Sequence, residues 1–219
     1  MSDTQNTGRF TFSAPVRMPF QNLLTPVAVG RKGKAKGDLK FSGTFLLTLD
    51  SSDLKAAKAK AAEVAKAKWP GRALMELKFP FSDGEKRAAK STAGGKDGSF
   101  FKGHVVLDAR SKYQPRLALL EGKTVRDLEG AQVAIEGKKF YNGCYVVPSV
   151  NFVAYDGQQE DGIGNPDGVT AYLEAVLFVK DGPRIGGGSS AETFKAYAGS
   201  VTDFDPTNGN TAAEDDIPF

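Results

Sequence analysis

The chain has 219 residues, 40% of them hydrophobic and 10% aromatic, with 29 Lys+Arg against 26 Asp+Glu and a formal charge of +3. That is enough apolar content for one buried core with appendages. The single cysteine, Cys144, excludes an intrachain disulfide, and the single histidine, His104, argues against a His-based metal site or triad. No apolar run approaches membrane-spanning length and the start, Met1–Thr7, is polar rather than leader-like, so a reducing cytoplasm, away from membranes, is the expected setting.

In chain order, the first predicted strand is Arg9–Arg17. The loop Arg31-Lys32-Gly33-Lys34-Ala35-Lys36-Gly37 then leads through Lys40 into a second strand, Phe41–Leu49. Its glycines let the main chain approach a phosphate, so Arg31, Lys32, Lys34 and Lys36 are candidate contacts; the plainer reading is a solvated connection. Asp53–Lys68, rich in Ala and Lys, predicts a helix capped by Ser51, Ser52 or Asp53 and stopped by Pro70-Gly71. Leu54, Ala57, Ala61, Val64 and Ala65 share one face, which predicts packing on a sheet rather than reading of bases, since Asn, Gln and Arg are missing. Trp69 is expected to pack against the body.

Ala73–Phe79 predicts a strand, with Phe79 and Phe81 as core. Phe101–Asp108 predicts another, with Phe101, Val105 and Leu107 facing inward. Phe100 and Lys102 then share the opposite face, and with Lys96 they form a candidate base platform. Arg110-Ser111-Lys112-Tyr113-Gln114-Pro115-Arg116 is the strongest internal candidate: Arg110, Lys112 and Arg116 flank Tyr113 where Pro115 discourages burial in a sheet. Unpaired nucleic acid needs this combination, because cations follow the phosphates and each base stacked on an aromatic face is worth roughly 1–3 kcal/mol.

Gly122-Lys123-Thr124 ends like a phosphate loop, but Leu117 stands where that motif requires glycine. Gln132–Tyr141 and Cys144–Tyr155 predict strands joined by a tight hairpin at Asn142-Gly143. Lys138, Lys139 and Tyr141 on that hairpin are candidate contacts, and cross-strand packing with Tyr145 explains the pattern equally well. A longer hairpin is expected between Tyr155 and Val169–Lys180, through Asp156–Gly168, whose carboxylates would repel phosphate: the loop is expected to be solvated, the alternatives being a place away from the groove or a bound cation. After Lys180 the periodicity stops. Gly186–Ser190 reads as a hinge, Ala191–Ala198 as a short helix, and Gly199 onward as tether. The expected organisation is a folded domain over 1–180 and a flexible linker with an acidic tail over 181–219.

The fold class expected from these elements is mainly β: a small barrel or sandwich with one Ala/Lys-rich helix and elaborated loops, a class that includes the Greek-key oligonucleotide-binding barrel and that periodicity alone does not subdivide. Charge is divided unequally. From Asp203 onward there are five carboxylates and no Lys or Arg, which leaves residues 1–202 eight positive charges in excess. The chain closes on Glu214-Asp215-Asp216-Ile217-Pro218-Phe219, a string whose Ile, Pro and Phe would fill a small apolar pocket while Asp215, Asp216 and the α-carboxylate meet cations at its rim.

That ending resembles the C-terminal tip of bacterial single-stranded-DNA-binding proteins. The body resembles a group of bacteriophage single-stranded-DNA-binding proteins. The segments that carry the resemblance are Phe100-Phe101-Lys102-Gly103-His104, Ala109–Arg116, Phe140-Tyr141-Asn142-Gly143 and Gly168-Val169-Thr170-Ala171-Tyr172-Leu173. The resemblance implies an oligonucleotide-binding fold and a protein that coats, unfolds and protects single-stranded DNA during phage replication and recombination. It implies recruitment of phage or host replication and recombination proteins through Asp215, Asp216, Ile217, Pro218 and Phe219. No catalysis, cofactor or metal is expected, and a homodimer is left open. The alternatives are a protein that anneals complementary strands, a DNA-processing nuclease bearing the same tail, and a decoy that uses only the tail.

Overall fold

Alternating apolar and polar residues produce strands with one dry face and one wet face, which must close around a core. A computed structural model of the chain describes residues 8–28, 38–157, 159–160, 163–164 and 166–186. The strands are β1 (Arg9–Thr11), β2 (Val16–Ala28), β3 (Leu39–Thr48), β4 (Phe81–Asp83), β5 (His104–Ser111), β6 (Arg116–Glu121), β7 (Thr124–Asp127), β8 (Tyr145–Tyr155), the two-residue partners β9 (Gln159–Glu160) and β10 (Ile163–Gly164), and β11 (Gly168–Lys180). The helices are α1 (Ser52–Lys68), α2 (Gly84–Ala93) and α3 (Ala131–Glu136).

Five strands form a closed ring in the order β2, β3, β5, β11, β8 and back to β2. All neighbours are antiparallel except β5 and β11, which run parallel through Ala109 and Ala171. This is an oligonucleotide-binding-type barrel. β1 borders β8, β4 borders β5, and β6 continues along β11 beyond β5, followed by β7. Met18, Leu23, Phe45, Leu47, Leu107, Val150 and Phe152 fill the interior and are all fully buried. Each buried side chain of this size contributes about 1.5–3 kcal/mol.

The expected helix stands over Ser52–Lys68, with the Ser51 hydroxyl accepting from Leu54 N. Leu54, Ala57, Ala61 and Ala65 are buried, and the helix packs on β8, where small alanines allow close approach. The Asp53 carboxylate accepts from Ser13 N, Ser13 Oγ and Ala14 N. That knot turns the chain out of β1, so the single strand expected over Arg9–Arg17 is two.

Other expectations need correction. Ala73–Phe79 is not a strand but a 3-10 turn at Leu74–Glu76 followed by extended chain, because only Leu77 in this run finds a buried site and Met75 is 92% exposed. Gln132–Tyr141 is α3 followed by a 3-10 turn at Gly137–Lys139. Its Ala, Gln and Glu favour helix, and Ile135 lies 69% exposed with no sheet to cover it. Asn142-Gly143 therefore makes a turn, with Cys144 N donating to Tyr141 O at 3.2 Å and Gly143 at φ 112°, but no hairpin of strands. The strand expected from Phe101 begins at His104, and Phe101 belongs to a 3-10 turn.

The additional elements include β2, α2 and the β6–β7 hairpin. β2 contains Pro19 and Pro26, which look like breakers. The strand survives because its register with β3 slips between Arg17 and Phe20 and again between Asn22 and Val27, where no ladder donor is required of the prolines. α2 starts at Asp83, whose carboxylate accepts from Glu85 N and Lys86 N. The β6–β7 hairpin is tied to α3 by Arg126, which donates to Glu121 Oε1 at 2.6 Å and Glu136 Oε2 at 2.9 Å. The long hairpin from Tyr155 to Gly168 stands as expected, since β8 and β11 pair from Tyr155–Gly168 to Tyr145–Lys180.

Compactness extends through Ile185. Ile185 is buried and its N–H donates to Asn142 O at 2.8 Å. The Tyr141 hydroxyl shares its one proton between Gly182 O at 2.8 Å and Asp181 Oδ1 at 3.0 Å, and it accepts from Gly182 N. These contacts pin Asp181–Ile185 against the turn at Asn142-Gly143. The short helix expected over Ala191–Ala198 and the tail lie outside the described residues.

Candidate nucleic-acid interface

Pairing registers place outward side chains in rows across the barrel. One row runs Arg9 on β1, Asn151 on β8, Tyr172 on β11, Arg110 on β5, Ser42 on β3 and Asn22 on β2. A neighbouring row contains Thr170, Asp108, Thr44 and Phe20. Where Leu46 and Val106 point outward, α2 and Phe101 cover them in a second small core. Among the described residues, the other side chains of these rows stay exposed or half-buried on an open face.

A groove of about 1320 Å³ lies on that open face. Its cations are Arg9, Lys40, Lys78, Arg110, Lys112 and Arg116, against the two carboxylates of Asp108 and Glu174. Both carboxylates are already paired. Glu174 receives Arg9 at two points, Nε at 2.7 Å and Nη2 at 3.2 Å, and Asp108 accepts from Arg87 and from Thr44 Oγ1. The groove therefore attracts a polyanion with four charges in excess. Its aromatic faces are Phe79, Phe81, Tyr113, Tyr155 and Tyr172, with Tyr113 82% and Tyr172 46% exposed.

Of the residues singled out from sequence, Arg110, Lys112, Tyr113 and Arg116 meet in this groove. Lys96, Phe100 and Lys102 do not line it; they follow α2, where the Phe100 ring packs on Phe101 and Phe20. Lys138, Lys139 and Tyr141 also lie off the groove. The Lys139 ammonium pairs with Glu136, and the Tyr141 ring lies under the Arg184 guanidinium at 4.3 Å. Arg31, Lys32, Lys34 and Lys36 fall outside the described residues, in the connection from β2 to β3, and β3 brings Lys40 into the groove. Asp215, Asp216, Ile217, Pro218 and Phe219 also fall outside them.

Several lining residues escaped the sequence reading. Phe79 and Phe81, expected as core, are half-buried and border the groove. Tyr172 was detectable, because Thr170, Tyr172 and Glu174 alternate with buried Val169, Ala171 and Leu173. Arg9, Lys78 and Tyr155 carry no local signal; pairing alone brings them in. Lys78 is held there by a parallel bridge to Gly168, where a Cβ would come within 2.3 Å of Lys78 O.

Electrostatics away from the cations are quiet. Burial, aided by the Asp167 charge, raises the Tyr155 phenol, so that ring is neutral in the groove at neutral pH. The Gly157 N–H and the Arg72 guanidinium hold Asp167 below the usual carboxylate range, and Lys68 pairs with Asp156. Asp156 and Asp167 are thus answered locally. Burial pushes the Cys144 thiol up to about 11, so it is no nucleophile. Among the described residues no three His, Cys, Asp or Glu side chains are placed to hold a metal ion, and no helix is long and apolar enough to cross a membrane.

A family model described as "Enterobacter phage Enc34, ssDNA-binding protein" matches residues 11–214. The "Putative protein p50" of Acyrthosiphon pisum secondary endosymbiont phage 1 is 27% identical over 191 residues, covering 87% of this chain and 89% of that protein. The solved single-stranded DNA-binding protein from bacteriophage Enc34 in complex with ssDNA superposes with a TM-score of 0.59 at 22% identity, over 85% of this chain and 97% of that one. Another structure of the Enc34 protein gives a TM-score of 0.58 at 21% identity, over 90% and 97% of the two chains. At those identities the superpositions speak for a shared fold.

Proposed function

The chain belongs to the Enterobacter phage Enc34 ssDNA-binding protein family, and from that premise we propose that it binds single-stranded DNA in the groove between Arg9 and Arg116, without sequence preference. It is a binding protein and not an enzyme. The observation that carries the proposal is the placement of Tyr172 between Arg9 and Arg110 in one row, with Tyr113 exposed at the same groove. An unstacked base can lie on each aromatic face while its phosphates meet the flanking cations.

Sequence neutrality follows from what the groove lacks. Base-edge readout of adenine needs a free Asn or Gln amide, while the guanidinium groups of Arg9, Arg110 and Arg116 are assigned here to phosphates. Gln114 donates its amide to Leu23 O at 3.3 Å, and Asn151 Oδ1 is enclosed by protein. Stacking and charge remain, and neither distinguishes the four bases strongly. Duplex DNA hides its base faces, so the same groove favours the single strand, melts hairpins by mass action and shields the strand during phage replication and recombination in the host cytoplasm. The Glu214–Phe219 string is proposed to recruit replication or recombination proteins, its charge supplying contacts at the rim of an apolar pocket on the partner.

The test is equilibrium titration with poly(dT) and with duplex of matched length, at about 50 and about 200 mM salt. Tighter binding to poly(dT), with a log–log salt slope of about −0.7 per phosphate contact, is expected. A chain that ignores poly(dT) at the lower salt refutes the proposal.

A further inference from the structure

Phe20 is 40% exposed on the outer face of β2, and its ring is braced by two others. Phe100 meets it edge-on at 5.7 Å and Phe101 lies tilted at 6.0 Å. Phe101 is itself capped by the Arg87 guanidinium at 5.5 Å. Two rings and a cation thus brace one partly exposed aromatic face on the surface of a barrel strand.

Its position relates it to the groove. Phe20 pairs with Thr44, Thr44 pairs with Asp108, and Asp108 borders the groove. The knot of Thr44, Asp108 and Arg87 between them is internally neutralised, so it presents no bare carboxylate to a passing phosphate. One pleat away, the Tyr172 row continues over Arg110 and Ser42 to Asn22. From β11 to β2 is three strand spacings, roughly 14 Å of sheet. A strand laid along the Tyr172 row over Arg110 would come beside Phe20, where Lys102 is exposed next to the bracing Phe100.

We infer that Phe20 is a second stacking station, on which a base of the same DNA strand lies after that strand has crossed β5 and β3 from the Tyr172 groove. The inference rests on the function proposed above and deepens it. It sets the direction of the strand, transverse to the barrel strands, and it makes the footprint longer than the groove alone. The cations along the crossing and the continuity of the rows select a nucleobase as the occupant over a second apolar surface.

The experiment uses the full chain and thymidine oligomers of about 4 and about 16 nucleotides, the limits for one barrel of this kind. Phe20→Ala is expected to weaken binding of the longer oligomer by roughly 5- to 150-fold and to leave the shorter one unchanged. Tyr172→Ala is expected to weaken both. A second readout places the probe at the site: with Trp69→Phe removing the native indole, Phe20→Trp should keep the longer oligomer's affinity and lose fluorescence when it binds. Equal affinity of Phe20→Ala and wild type for the longer oligomer, or an indole at position 20 blind to it, overturns the inference while a Tyr172→Ala defect leaves the groove standing. Failure of the wild type to bind either oligomer sinks both together.

Discussion

Replacing Glu174 by Gln should tighten DNA binding, although the residue lies inside the proposed DNA groove. Glu174 is 19% exposed and holds Arg9 at 2.7 and 3.2 Å, so a phosphate that seeks Arg9 must first displace a carboxylate. Exposed pairs of this sort are worth up to about 1 kcal/mol. Removing the competitor should therefore raise affinity by up to about fivefold at low salt. It should also add one phosphate contact, steepening the log–log salt slope by about 0.7, so that a fourfold rise in salt costs the variant about 2.6-fold more than wild type. Fluorescence titration with poly(dT) across a salt series measures both quantities. Arg9→Ala in the Glu174→Gln background should cancel the gain in slope. A folded Glu174→Gln protein with unchanged affinity and slope would mean that Arg9 meets no phosphate, and the electrostatic account of the groove would fall.

Two further outcomes are expected. Deleting residues 203–219 removes five carboxylates and no cation, so binding to poly(dT) should tighten at low salt and approach wild type once the Debye length shrinks to about 3 Å near 1 M; weaker binding would refute self-competition by the tail. The Arg126 hydrogen bonds hold Glu121 and Glu136 below their ordinary value of 4.5, a support fully present above that pH and lost as pH falls through the depressed values. Protection of the amides in Thr124–Asp127, taken relative to their intrinsic exchange rates at each pH, should accordingly fall in acid, and Arg126→Ala should already show the lower protection at neutral pH with little further response; a variant as pH-sensitive as wild type would contradict the assignment.

Legibility followed the physics of each segment. β3, β5, β8 and β11 alternate cleanly against one core, and the sequence pattern located each to within a few residues. β2 was hidden because prolines that end an ordinary ladder are absorbed here at register slips, a property of its partner β3 rather than of β2. α2 was hidden because its apolar face amounts to Ala88 alone among the buried hydrophobics, with the packing supplied by Phe101 and Val106 from elsewhere. The candidate site divided in the same way. Arg110, Lys112, Tyr113 and Arg116 are neighbours in sequence and were visible together. Arg9, Lys78 and Tyr155 reach the groove only through strand pairing, which no local pattern encodes. Asn142-Gly143 misled for a related reason: the dipeptide makes its turn, but whether strands flank it depends on burial further along the chain.

The manner in which β11 completes the ring has a consequence during synthesis. β11 is the last described strand, and it alone joins β5, β6 and β8. Until the ribosome has released Gly168–Lys180, β8 and β5 each keep a raw margin of unanswered amides and carbonyls, the kind of edge that recruits other chains. Premature termination ahead of Gly168 would yield sticky, aggregation-prone fragments instead of a smaller working protein, and the full-length chain must close its most distant pairing before it is safe.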